Sequence, residues 1–271
     1  MKFGICNEIF QNWPLGDVFA YAAKVGYDCV EIAPFTIAKS VSDIPASERR
    51  RIKDLAAKKG ITISGIHWVL AQTEGLHLTH PDAETRTRTA QYLVDLVDFC
   101  ASIGGKRIVV GSPKQRSLQP GVAYDQAWEF ATGVFRDSVR RAEERHVVIC
   151  FEPLAPSETD FVNTAAEGIR FAQQFNSRAM SIILDVKAMS SEGKPVPDII
   201  RECAGKFEYF HANDPNLKGP GFGDTDFVPI AAALRDANYD GVVSVEVFKF
   251  EEGAEAIASR SIEYLRKTFA A

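Results

Sequence analysis

Along this chain, short apolar runs alternate with longer stretches in which apolar positions recur every three or four residues. The runs read as buried strands of a parallel sheet and the stretches as helices laid against it. Lys2–Cys6 is the first strand, and helical spacing from Asp17 to Val25 stops at Gly26 before a second strand, Cys29–Ile32. Glu48–Lys59 and Ile61–His67 repeat the pair. The longest amphipathic pattern, Asp82–Ile103, puts Tyr92, Leu93, Leu96, Val97 and Cys100 at helical spacing, and Gly104-Gly105 closes it before Arg107–Gly111. A helix over Tyr124–His146 leads into a fifth strand, Val147–Glu152. Three more strands, Ser181–Asp185, Phe207–His211 and Val242–Glu246, are preceded by helices over Ala165–Phe175, Pro197–Ala204 and Phe227–Ala237, and Ala254–Phe269 closes the chain.

Eight strands alternating with about eight helices, with no linker or low-complexity run, predict an α/β protein made of one (β/α)8 TIM barrel domain over residues 1–271. A doubly wound open sheet is the alternative. It would carry a glycine-rich phosphate loop after the first strand, where this chain has Cys6-Asn7-Glu8-Ile9-Phe10. In a barrel, polar residues at the C-terminal ends of strands form the functional site.

The last four strands each end in such a residue: Glu152, Asp185, His211 and Glu246, at gaps of 33, 26 and 35 positions. Side chains alternate along a strand, so Val148, Cys150 and Glu152 share a face, as do Ile183 with Asp185 and Ser244 with Glu246. That face is apolar low in the strands and acidic at the top. Three converging buried carboxylates need protons or a cation, and three oxygens with one imidazole suit one divalent ion. Manganese is the first expectation, with magnesium, cobalt or zinc as alternatives; a structural zinc would draw cysteines.

A composition of 46% hydrophobic and 25% charged residues gives ample core, and a net charge of −5 speaks against phosphate backbones as partners. The expected partner is a small-molecule carbohydrate, with no nucleic acid and no membrane; a homo-oligomer stays open. Five cysteines without a C-x-x-C pair, and a first strand that starts at once, point to reduced thiols and a cytoplasmic protein.

Other polar residues fall near the same mouth. His67 would contact metal or substrate, and Glu31 would bind substrate hydroxyls or a neighbouring loop. Trp13, Trp68 and Phe248 are read as ordinary packing in preference to walls of a sugar site. His77, His80 and His146 are given solvated roles, and the glycines of the Lys218–Gly223 loop offer a weak phosphate reading.

The quartet, together with Phe151-Glu152-Pro153-Leu154, Asn163-Thr164-Ala165, Leu184-Asp185-Val186, His211-Ala212-Asn213-Asp214 and Gly221–Phe227, resembles the xylose isomerase-like barrel superfamily over nearly the whole chain. The branch it resembles holds ketose 3-epimerases, hydroxypyruvate isomerases and keto-inositol dehydratases. The resemblance implies that the quartet are metal ligands and that Glu158 is a substrate-binding carboxylate. It also exposes two departures, Ala188 and Leu217, where the ketose 3-epimerases carry a substrate-contacting His and Arg. A sugar-binding shell rebuilt around Lys187 or Lys218 is therefore expected. The implied activity is proton transfer alpha to a carbonyl through an enediolate held on the metal, giving an isomerase or epimerase in which Glu152 and Glu246 move the proton. The alternatives are a related dehydratase acting on a keto-polyol or 3-keto-glycoside and a sugar-binding barrel without chemistry. Last comes a type-2 AP endonuclease, which needs more histidines than this chain has.

Overall fold

The computed structural model describes residues 1–270. Strands β1 (Lys2–Cys6) and β2 (Cys29–Ile32) flank α1 (Leu15–Val25), and α2 (Ala46–Lys58) leads to β3 (Thr62–Ile66). Then come α3 (Ala83–Ile103), β4 (Arg107–Val110), α4 (Tyr124–Arg145) and β5 (Val148–Phe151). Helix α5 (Ala165–Gln173) precedes β6 (Met180–Asp185), which runs into α6 (Val186–Met189) and α7 (Val196–Glu202). Finally β7 (Phe207–Ala212), α8 (Phe227–Asp236), β8 (Val242–Val245) and α9 (Ala254–Ala270) complete the order. All strands are parallel to their neighbours in sequence order, and β8 returns to pair with β1 through Phe3↔Val243 and Ile5↔Val245, closing the barrel.

Local chemistry fixes the element ends. Gly26 (φ 107°) and Gly104 (φ 92°) take the left-handed conformation that stops α1 and α3, while the Asp82 carboxylate accepts from Thr85 N at 2.8 Å to start α3. The short α6 escaped the sequence pattern because four residues carry no period. It is held by Asp185, whose Oδ1 accepts from Ala188 N at 2.7 Å.

Two apolar layers follow from strand alternation. Between strands and helices lies the main core, where Phe135, Phe151 and Phe171 meet with ring centroids 4.8–5.8 Å apart. Inside the barrel, Val109, Cys150, Ile183 and Tyr209 form a separate plug, and Tyr209 donates to Ser64 Oγ at 2.8 Å. The plug fills the lower barrel, so the polar ends of the strands above it face an open mouth. All five cysteines are free and buried. Among the described residues no helix is long and apolar enough to cross a membrane.

Candidate active site

Above the plug, Glu152, Asp185, His211 and Glu246 each offer one ligand atom, and these atoms lie within 4.8 Å of one another. His211 Nδ1 sits 3.1 Å from Glu246 Oε2 and 4.0 Å from both Glu152 Oε1 and Asp185 Oδ2, yet it makes no hydrogen bond. The other ring nitrogen, Nε2, lies 3.0 Å from Glu31 Oε2. An ionised carboxylate only accepts, so Glu31 fixes a proton on Nε2, and Nδ1 can present a lone pair toward the three carboxylates once its own proton is displaced. Space is also provided: a Cβ on Gly111 would come within 2.1 Å of Glu152 Oε2. The donor set and this unpartnered nitrogen fit one divalent cation.

The electrostatics agree. Burial pushes Glu152 up to about 8, helped by Glu246 and Asp185, and burial with Glu246 raises Asp185 to about 6. Burial also works against the charged form of Glu246, but His211 and His67 override it and hold Glu246 well below the carboxylate range. His211, despite burial, is driven well above its ordinary value by Glu246 and Glu31. A site that holds extra protons on a carboxyl and an imidazole is one from which a cation can displace them.

Glu31 and His67 do not face the cavity. Both are fully buried: Glu31 pairs with His211, and His67 Nε2 lies 2.8 Å from Glu8 Oε2 with Nδ1 3.6 Å from Glu246 Oε1. They brace the quartet from the β2 and β3 side of the barrel. Lys218 turns away and pairs with Glu252. Lys187 and Glu158 do line the cavity, of about 410 Å³, and Lys187 Nζ lies 2.7 Å from Glu158 Oε1 and 4.3 Å from the centre of the Phe248 ring. Trp68 and Phe248 are cavity walls as well as packing, stacked at 5.9 Å, and Trp68 Nε1 donates to Glu246 Oε1 at 2.9 Å. Trp13 packs on Phe10 and Tyr21, at 5.4 and 5.6 Å, and lines a second cavity. His77, expected in solvent, is buried, and Thr79 N donates to its Nδ1 at 3.2 Å.

Two contributors were not singled out from sequence. Asn213 donates through Nδ2 to Asp185 Oδ2 and, at 3.3 Å, to Glu246 Oε2, while its Oδ1 accepts from Lys187 N at 2.9 Å. It lies two residues after His211 on the same strand face, so extending the alternation one step beyond the expected strand end would have found it. Arg116, fully buried in the loop after β4, donates to the carbonyls of Glu152 at 2.6 Å and Val162 at 3.1 Å and holds the top of β5. Nothing periodic marks it.

Comparison with known proteins places this geometry. Residues 19–268 match the family described as xylose isomerase-like TIM barrel. Among curated relatives, D-psicose 3-epimerase of Agrobacterium fabrum is 26% identical over 253 residues, covering 92% of this chain and 85% of that enzyme. 3-Dehydro-D-guloside 4-epimerase of Escherichia coli is 23% identical over 98% of this chain and 99% of that one. The structure of D-psicose 3-epimerase from Clostridium cellulolyticum H10 with D-tagatose superposes at a TM-score of 0.86 with 22% identity, covering 99% of each chain.

Proposed function

The chain belongs to the xylose isomerase-like TIM barrel family, and from that premise we propose that it is an epimerase or isomerase of keto sugars that moves a proton on the carbon next to the carbonyl. The observation that carries this reading is the convergence of three carboxylates and an imidazole nitrogen without a hydrogen bond, two of the carboxylates, Glu152 and Glu246, lining a cavity of about 410 Å³. The names of the relatives, epimerases of D-psicose and of a dehydro-glycoside, are consistent with it.

One divalent ion held by Glu152, Asp185, His211 and Glu246, manganese ahead of magnesium, cobalt or zinc, would polarise the substrate's carbonyl and acidify the neighbouring C–H. Glu152 follows β5 and Glu246 follows β8, so the two carboxylates approach the cavity from different sectors of the ring. Removing a proton from one face of a carbon and returning one to the other is what inversion there requires, and one glutamate serves each face. Trp68 Nε1–H and His67 hold Glu246 in place, and Arg116 holds the main chain of Glu152. Lys187 and Glu158, with the Phe248 ring beneath the ammonium, supply a donor and an acceptor for substrate hydroxyls where Ala188 and Leu217 offer none.

The test is incubation of the manganese-loaded protein with keto sugars and 3-keto-glycosides in deuterated water. Deuterium should enter at the carbon next to the carbonyl, with a new epimer or isomer appearing at a matching rate. A loaded chain that exchanges no C–H in any member of the panel overturns the reading.

A further inference from the structure

Beside the quartet's cavity lies a second one of about 540 Å³ that the reaction just described does not use. The two cavities share Trp68 and Gln72. Both of these residues sit in left-handed backbone, with φ of 50° and 61°, a conformation that side-chain-bearing residues adopt rarely and that clusters at ligand sites. Trp68 is held by two rings and a hydrogen bond. Its ring stacks on Phe248 on the quartet's side and lies 5.8 Å from Phe35 on the other, and its indole N–H is committed to Glu246. The wall between the cavities is therefore a residue that touches the proposed base.

The lining of the second cavity has a definite chemistry. Trp13, Phe35 and Phe250 present flat aromatic faces, and the amides of Asn12 and Gln72 stand among them. Aromatic faces take the C–H face of a pyranose or an aryl group, and amides both donate to and accept from hydroxyls. No lysine or arginine lines it and the carboxylate-bearing Glu8 does, so a phosphate has no counter-charge there. The first cavity already has the volume of a small-ligand site, which leaves the second without a use for a free ketose.

We propose that the second cavity is a subsite for the non-reacting part of a larger substrate. The substrate is then a neutral glycoside or disaccharide whose keto-bearing ring sits at the quartet, with its aglycone or second ring between Trp13 and Phe35. This rests on the reading of the quartet as a proton-transfer site.

A matched series tests it: a 3-keto-hexose and its methyl, phenyl and glucosyl glycosides, offered to the manganese-loaded chain in deuterated water. The kcat/KM should rise at least tenfold from the free sugar to the phenyl or glucosyl glycoside, and Trp13→Ala should lower the glycoside value at least tenfold more than the free-sugar value. Where Trp13→Ala does not fold, Phe35→Leu carries the same comparison. Equal kcat/KM along the series, or a variant that lowers both substrates alike, removes the subsite and leaves the epimerase reading standing. If nothing exchanges, the epimerase reading falls, and calorimetric titration with the unreactive phenyl glucoside decides the subsite alone. Binding that the variant weakens tenfold supports it, and no binding overturns it.

Discussion

His211 has two ring nitrogens, and the fold gives each a different task. Nε2 is spent on Glu31, and Nδ1 is left to the carboxylates of Glu152, Asp185 and Glu246. At this scale the proposed mechanism makes a sharp prediction. Glu152→Gln and Glu246→Gln keep size and an oxygen ligand but lose basicity, so each should fold, bind metal more weakly and lose turnover by roughly 10³-fold or more. Asp185→Asn should act mainly through metal affinity, and excess manganese should restore part of its activity. Near wild-type rates in both Gln variants would remove these glutamates as bases. The four residues were legible as a set because each closes an apolar run and the runs are evenly spaced. Asp185 carries a duty that spacing hides: one of its oxygens faces the site while the other starts α6. The brace of Glu8 with His67 was illegible because Glu8 lies past the end of β1, outside the strand alternation that marked the quartet.

At the scale of elements, strand ends and helix stops were readable wherever a glycine or an alternating pattern marked them, as at Gly26, Gly104 and β5 through β8. Loops were not readable, because what places them is long-range pairing. The Arg116 guanidinium, buried against the Glu152 and Val162 carbonyls and 4.8 Å from the Phe151 ring centre, has no local signature. Trp68 was read as packing and turned out to be packing and wall together, since its left-handed backbone was invisible in sequence. One position at the end of β4 tests how closely strands set the site. Gly111 is needed for room beside Glu152 Oε2, which an added methyl would approach to 2.1 Å. Gly111→Ala should therefore leave the barrel folded, by circular dichroism, while lowering manganese affinity at least tenfold by titration. Unchanged affinity would mean that the Glu152 carboxylate is not held against β4.

The whole molecule couples the site to stability. A barrel that plugs its lower interior with Val109, Cys150, Ile183 and Tyr209 can afford three buried carboxylates above them only if protons or a cation compensate. Without metal, Glu152 holds its proton up to about 8 and Asp185 up to about 6, while the same groups unfolded release theirs near the ordinary carboxylate values. His211, raised well above its usual value, adds to the same imbalance. The folded metal-free chain thus binds more protons than the unfolded one, and its stability falls as pH rises through these windows. Glu246 acts in the opposite sense, but only below the carboxylate range, outside the window that matters. A bound ion takes the place of those protons, so its affinity rises with pH over the same interval. At one hundred times its dissociation constant the ion should add about 2.7 kcal/mol, which at roughly 2–4 °C per kcal/mol for a chain near this size is a rise of roughly 5–10 °C in melting temperature. The gap between manganese-loaded and chelated protein should accordingly widen from pH 5 to pH 8, with about one ion bound per chain by metal analysis. A gap that stays flat or narrows would show that the protons on Glu152 and Asp185 are not the ones the ion displaces.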